Sequence, residues 1–260
     1  MSDIIRIKQL SAGYNGKEVL HAVDLNISQG DYVSIIGPNG AGKSTLIKCI
    51  NRILQFKEGI IELFGRSLTQ YAQKDLGKLI GYVPQTQEQS FSYTVHDFVM
   101  MGRYPYLNPF VRTTADDEKV VNEVLHTIEL TDFAQRKVNR LSGGERQKVY
   151  LAASLAQQPK ILLLDEPTAH LDPKYHMEIQ KIISDISKQY GITVLHVTHD
   201  LNHIVAWSKK ILAIKDGRIH SYGTPQEIIT KDNLKDIFET EFLFMSHPET
   251  QETIIVPNAK

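Results

Sequence analysis

The sequence predicts an α/β fold, a mostly parallel sheet flanked by helices, with an N-terminal antiparallel β layer and an inserted α-helical subdomain. Three observations predict it. Residues 4–10 and 19–27 alternate apolar and polar side chains, the pattern of half-buried strands in an antiparallel sheet. The largely apolar runs Ile161–Leu164 and Ile192–Val197 are continuous rather than alternating and each is followed by a helical pattern, as for parallel strands covered on both faces. Between about Val95 and Gln158 there is no convincing strand pattern and the periodic segments are helical.

Taken in order, the N-terminal alternation gives two strands. Tyr32–Ile36 is a third, running into the glycine-rich segment Gly37–Thr45, and Leu46, Ile47, Ile50, Ile53 and Leu54 then recur at helical spacing. Helices are expected over Val95–Met101, Ala115–Glu129 and Glu145–Gln157. Lys210–Lys215 and Arg218–Tyr222 flank Asp216-Gly217, a strong two-residue hairpin signal. Phe242–Met245 and Thr253–Val256 around His247-Pro248-Glu249 form a second, smaller hairpin. No internal repeat or low-complexity linker interrupts the chain.

Composition bounds the function. The chain has 260 residues, 42% hydrophobic and 23% charged, with 29 Lys+Arg against 30 Asp+Glu, which excludes disordered, collagen-like and disulfide-scaffold classes. A single cysteine forms no internal disulfide, and the first twenty residues carry no leader pattern, so a reducing compartment is expected. No run approaches the roughly 18 to 20 apolar residues of a membrane span. With a pI near 6.8 there is no basic field for nucleic acid, and none is expected as a partner.

Three segments carry chemistry. Gly37-Pro38-Asn39-Gly40-Ala41-Gly42-Lys43-Ser44-Thr45 matches G-x-x-x-x-G-K-S after a strand and before a helix, the P-loop context. Its backbone N–H groups curl around phosphate oxygens, Lys43 adds a full charge at the β/γ-phosphates, and Ser44 is a ligand for Mg²⁺. The fold class is therefore a P-loop NTPase core. Ile161–Leu164 ends in Asp165-Glu166. Adjacent strand residues point to opposite faces, so one acid, Asp165, fits a Mg²⁺ ligand and the other, Glu166, a general base for water. Leu141-Ser142-Gly143-Gly144-Glu145 precedes a helix. Its S-x-x-E spacing makes a capping box, while two bare glycines in the first turn make a second anion site; the spacing alone leaves both readings open.

In this order the motifs resemble those of the nucleotide-binding subunit of ATP-binding-cassette (ABC) transporters, and the resemblance covers nearly the whole chain. Gly37–Thr45 is similar to the family's Walker A, Ile161–Glu166 to its Walker B and Leu141–Glu145 to its signature. The resemblance implies that Tyr14 stacks on adenine, that Gln85 in Val83-Pro84-Gln85 contacts Mg²⁺ and the attacking water, that Asp172 marks the D-loop and that His199 reaches the γ-phosphate. It implies one ABC ATPase domain over 1–260. Residues 3–85 and 159–222 supply the β layer and nucleotide-binding core, 86–158 the helical subdomain with the signature, and 223–260 the C-terminal helices and small hairpin.

The implied activity is hydrolysis of ATP with Mg²⁺ by a homodimer of ATPase subunits. Each ATP lies between Lys43 of one chain and Ser142, Gly143 and Gly144 of the other. Transmembrane permease subunits are implied as partners, with an extracytoplasmic substrate-binding protein acting indirectly, at the cytoplasmic face of the cell membrane. Met100-Met101-Gly-Arg103-Tyr104-Pro105-Tyr106 lies in the region that faces the permease, and Met-Gly-Arg-Tyr-Pro with the C-terminal hairpin resembles importers of iron-siderophores, haem and cobalamin. The four large side chains either cover a docked helix or fill the lobe's own core. A ferric siderophore is the expected cargo; a soluble non-transport ABC ATPase, such as one serving iron–sulfur cluster assembly, and an importer of haem, cobalamin or molybdate are the alternatives. A P-loop GTPase or kinase would not explain Leu141–Glu145 together with His199. His196 and Cys49 are expected in packing roles.

Overall fold

The computed structural model describes residues 3–85, 92–107, 113–169, 171–246, 248–249 and 253–258. Along the chain these form β1 (Asp3–Tyr14), β2 (Lys17–Ser28), β3 (Tyr32–Ile36), α1 (Lys43–Ile50), β4 (Glu58–Leu63) and β5 (Arg66–Ser67). Next come α2 (Gln73–Leu79), β6 (Ile80–Val83), α3 (Val95–Met100), α4 (Ala115–Thr127), α5 (Gly143–Ala156), β7 (Ile161–Asp165) and α6 (Pro173–Tyr190). The chain finishes with β8 (Thr193–Val197), α7 (Leu201–Trp207), β9 (Lys210–Lys215), β10 (Arg218–Gly223), α8 (Pro225–Ile228), α9 (Lys231–Phe238), β11 (Phe242–Ser246) and β12 (Thr253–Pro257). It divides into two compact units, Met1–Gln70 with Thr193–Lys260, and Tyr71–Ile192.

The first unit holds the antiparallel layer in the order β2-β1-β4-β5. Apolar residues of β1 and β2 point inward and their charged neighbours outward, as the alternation requires. The two strands join at Asn15-Gly16, both with positive φ (49° and 81°), the geometry of a tight hairpin. β4 was not expected from the sequence. Only Ile61 and Leu63 of its six residues are buried, and Ile60 faces outward, so the apolar pattern is weak.

A second layer of this unit orders β10-β9-β3-β8. β3 runs parallel to β8 and β9, and β10 returns antiparallel to β9 through Asp216-Gly217, again both at positive φ. Every residue of β3 and β8 is buried, the polar Ser34, Thr193 and His196 included, which explains why their runs do not alternate. α1 ends earlier than its apolar spacing predicts. Arg52 is left-handed (φ 55°) just past the C-terminal cap, so Ile53 leaves the helix and is 57% exposed. β11 and β12 form the expected small antiparallel hairpin; His247 at its turn lies outside the described residues.

In the second unit β6 and β7 pair in parallel, Ile80 to Ile161 through Val83 to Leu164. β6 was also missed, because four residues directly after a helix give too short a window for periodicity. α3, α4 and α5 fall where the helical patterns place them, within two residues. Thr114 and Asp117 close a reciprocal capping box at the start of α4, and Ser142 and Glu145 do the same for α5.

Candidate nucleotide-binding site

In the first unit the buried strand β3 delivers the chain to Gly37, whose φ of 147° and close approach to β9 tolerate no side chain. A Cβ there would sit 2.0 Å from the Ile214 carbonyl oxygen. The loop then exposes Asn39 and Gly40 and ends at Gly42, which starts α1 without a side-chain cap; a helix N-terminus favours an anion. Space around Gly40 is open, with no atom within 4 Å of where a Cβ would stand. Lys43 folds back over the loop and its ammonium donates to the carbonyls of Gly37 (2.8 Å) and Pro38 (2.9 Å). The cation is therefore already placed along the rim of a cradle that is open at Gly40. Loop, helix start and lysine together fit a polyphosphate.

Sequence reasoning found the Asp216-Gly217 turn but not its use. Gly217 N–H donates to the Ala41 carbonyl (3.1 Å), and the Gly217 carbonyl accepts from His21 N–H (2.8 Å). The hairpin turn thus braces the phosphate loop and ties it to β2. A Cβ on Gly217 would meet the Val19 carbonyl at 2.1 Å, so the Asp-Gly pair serves packing as well as the turn. Tyr14, the last residue of β1, is 41% exposed and presents a ring at the edge of this unit.

His199 is exposed between β8 and α7. Just before it, Thr198 N–H donates to the carbonyl of Ile35, two residues ahead of Gly37 (3.2 Å), so the His199 turn is tied to the strand that carries the phosphate loop. His196 is buried and its Nδ1 lies 3.2 Å from the Tyr32 hydroxyl, a hydrogen-bonded core role as expected. Burial also pushes the Cys49 thiol up to about 11.

In the second unit strand register assembles the acids. Val83 stands opposite Leu164, so Gln85 and Glu166, each two residues further on, leave the pair side by side. The Gln85 amide donates to the Glu166 carboxylate at 3.2 Å. Asp165, the last residue of β7, is buried, while Glu166 is half-buried and left-handed (φ 49°). Alternation along β7 followed by this reversal separates the two carboxylates.

Of the two readings of Leu141–Glu145, the capping box is present in the structure. Ser142 N–H donates to Glu145 (2.8 Å) and Glu145 N–H to the Ser142 hydroxyl (3.3 Å), a complete capping box. The glycines differ. A Cβ on Gly144 would stand 2.2 Å from the Tyr175 ring, so this glycine is required by packing; on Gly143 the nearest atom is Leu171 Cδ2 at 3.7 Å, an ordinary contact. Gly143 is exposed, and packing gives no reason for it to be glycine. Asp172 caps α6 by accepting from Tyr175 N–H (3.1 Å). Lys148 of α5, 8% exposed, pairs with Glu178 of α6 at 2.9 Å.

Around Arg103 lies a network that no motif announced. Its guanidinium donates to Asp117 of α4 (2.9 Å) and to the carbonyl of Ala156 in the last turn of α5 (2.8 Å), with the Tyr106 ring 3.9 Å away. Burial alone would raise the Asp117 carboxyl, but hydrogen bonds from the Thr114 N–H and hydroxyl and the Arg103 charge outweigh it and hold it below its ordinary 3.8. Met101, Tyr104 and Tyr106 are 45%, 67% and 38% exposed, while Met100 is half-buried; three of the four large side chains therefore face outward. Ser90 and Phe91 lie outside the described residues.

A glycine cradle with its lysine, placed by a parallel sheet, defines a P-loop nucleotide-binding protein. The chain belongs to the ABC transporter family, whose model matches residues 20–169, and its nucleotide is ATP. It is 35% identical over 247 residues to the iron(3+)-hydroxamate import ATP-binding protein FhuC of Bacillus subtilis (strain 168), covering 95% of this chain and 92% of that protein. It is 33% identical over 253 residues to the ferric enterobactin transport ATP-binding protein FepC of Escherichia coli (strain K12), covering 97% and 93%. Among solved structures, an inward-facing ABC transporter described as of metal-chelate type superposes with a TM-score of 0.87 at 29% identity, over 99% of this chain and 98% of that one. No helix among the described residues is long and apolar enough to cross a membrane.

Proposed function

We propose that this chain is the ATP-hydrolysing subunit that energises import of a metal chelate, a ferric siderophore above all, through a separate membrane permease. The observation that carries hydrolysis is the Gln85–Glu166 hydrogen bond. A carboxylate beside a primary amide can accept a proton from water while the amide fixes the orientation of that water. In this reading Tyr14 stacks on adenine and Gly37 to Thr45 wrap the phosphates. Lys43 turns from its own loop carbonyls to the β/γ-phosphates, and Glu166 acts as base, with His199 at the γ-phosphate.

Ser44, Gln85 and Asp165 supply a hydroxyl, an amide and a carboxylate, hard oxygen donors that suit Mg²⁺ and leave positions for phosphate oxygens and water. When bound, the ion neutralises charge on the β- and γ-phosphates. Two copies pair so that Ser142, Gly143 and Gly144, with Asp172 nearby, close on the nucleotide of the other copy. ATP adds contacts that exist only in the closed pair, and hydrolysis removes them, which converts chemical energy into opening and closing.

Near-full-length similarity to FhuC and FepC, whose names specify ferric hydroxamate import and ferric enterobactin transport, supports the ferric chelate as cargo. The exposed Met101, Tyr104 and Tyr106 support a permease contact, since such side chains give adaptable apolar area. The deciding experiment is Glu166→Gln. ATP binding is retained and steady-state hydrolysis falls by about 100-fold or more; hydrolysis at the unaltered rate refutes Glu166 as base. The importer itself is tested by co-purification with membranes and a polytopic permease, and by loss of ferric-chelate uptake when the gene is deleted. A protein recovered free of membranes with scaffold proteins instead refutes it.

A further inference from the structure

The C-terminal hairpin is fastened to the His199 turn by one side chain. Asn202, in the first turn of α7, donates from Nδ2 to the Ile255 carbonyl (3.2 Å) and accepts at Oδ1 from Ile255 N–H (2.7 Å). One amide therefore satisfies both backbone groups of a single residue in β12, as a neighbouring strand would. Among the described residues β11 and β12 pair with each other and with no further strand, and because Asn202 takes both backbone groups of Ile255, those groups face the outer edge of the ribbon, away from Phe244. A two-stranded ribbon is marginal alone. Here Phe242 and Ile255 enter one buried cluster with Leu201 and Ile204 of α7 and with Ile36, the residue before Gly37.

On the other side of Asn202 the chain is pinned step by step. Asn202 N–H donates to Asp200 Oδ1 (3.1 Å), Asp200 N–H to the Thr198 hydroxyl (3.2 Å), and Thr198 N–H to the Ile35 carbonyl (3.2 Å). His199 thus sits within a turn held at one end by β3 and at the other by the hairpin. α7 has only seven residues, too short to fix its own direction, so contacts such as the Asn202 clasp set where its first turn points. We infer that Asn202 is a positioning residue for His199, and that through it the hairpin β11–β12 is part of the hydrolytic apparatus. This rests on the assignment of His199 under the proposed function.

Asparagine is the fitting residue because it offers one donor and one acceptor at the spacing of a backbone edge. The substitution Asn202→Asp supplies the wrong chemistry: a carboxylate there still accepts from Ile255 N–H but sets a second acceptor against the Ile255 carbonyl. The test measures kcat and KM for ATP, with the melting temperature, for the full chain and for N202A, N202D, H199A and H199A/N202A. N202A is expected to lower kcat about fivefold, the effect of two hydrogen bonds lost, with KM within about twofold. N202D is expected to lose at least as much, and because it keeps one of the two bonds it gives the same answer should the alanine variant fold poorly. In the H199A background the Asn202 change has no further effect, since its action passes through His199.

Unaltered kcat in N202A overturns the inference. So does an equal fold-loss in the presence and absence of His199, which is the signature of a general structural role. Unaltered kcat in H199A overturns the His199 assignment and this inference with it, whereas failure of N202A alone leaves that assignment standing.

Discussion

The two glycines that open α5 make a prediction that separates packing from chemistry. In Gly144→Ala the new methyl would stand 2.2 Å from Cγ of Tyr175, against an ordinary contact of at least 3.4 Å, so the ring or the helix must move by more than 1 Å. The backbone of Tyr175 is held by the cap of α6 at Asp172, so relief comes from turning its ring about χ1 or from shifting α5. Overpacking of this kind costs about 1–3 kcal/mol, and the gain in helix propensity from glycine to alanine returns at most about 1 kcal/mol. The net loss is about 1–2 kcal/mol, or a fall in melting temperature of roughly 3–6 °C for a domain of this size. Gly143→Ala meets only Leu171 Cδ2 at 3.7 Å, and its melting temperature is expected to stay the same or rise by up to about 3 °C. Its turnover nevertheless falls, because the methyl stands over the exposed N–H groups proposed to meet phosphate. Calorimetry and a steady-state ATPase assay on both variants decide the matter. Equal melting temperatures refute the steric argument, and Gly143→Ala with unaltered turnover reduces Leu141–Glu145 to a capping box. A Tyr175→Ala change should accommodate Gly144→Ala, making the pair non-additive in stability.

Arg103→Ala leaves the Asp117 carboxylate buried without its cation and is expected to destabilise by about 3–5 kcal/mol in urea unfolding, while Arg103→Met with Asp117→Leu recovers most of that. Asp117 is held below its ordinary value, so its contribution to stability is complete above about pH 4 and is lost as pH falls through the lower folded value; Asp117→Asn should flatten that part of the acid-unfolding curve. Cys49, the single cysteine, is buried with its thiol raised to about 11, so at pH 8 a thiol reagent is expected to modify the folded protein at least tenfold more slowly than the urea-unfolded chain. Lys43→Ala is expected to lose nucleotide affinity before chemistry; unaltered ATP affinity in equilibrium binding refutes its phosphate role.

What could be read from the chain follows from how local the physics is. Gly37–Thr45 and Leu141–Glu145 were legible because glycines, a lysine and a cap at fixed offsets dictate backbone shape within one or two turns. β7 and β8 were legible because burial on both faces keeps their runs mostly apolar and free of alternation. β4 hid because Ile60 points outward, and β6 because four residues show no period. Asn15-Gly16 between two alternating runs is a full hairpin signal, and the turn it makes joins β1 to β2. The contacts of Arg103 with Ala156 and of Asn202 with Ile255 each span 53 residues of sequence, and only the folded topology brings them together. Gln85 could be named by resemblance and Glu166 from the acid pair that ends β7, but that they touch depends on the Val83–Leu164 register, which sequence does not state.

Glu166 stands where the backbone turns left-handed, a conformation that disfavours a residue with a side chain by about 1–2 kcal/mol and that glycine adopts freely. Selection for durability alone would therefore have little reason to keep an acid there, and a screen for heat-resistant variants of this chain should recover Glu166→Gly among its survivors. Those survivors would hold their shape well and hydrolyse almost nothing. A thermostability campaign on this protein needs turnover as a second filter, because one of its easier gains in robustness lies at the residue proposed to do the chemistry.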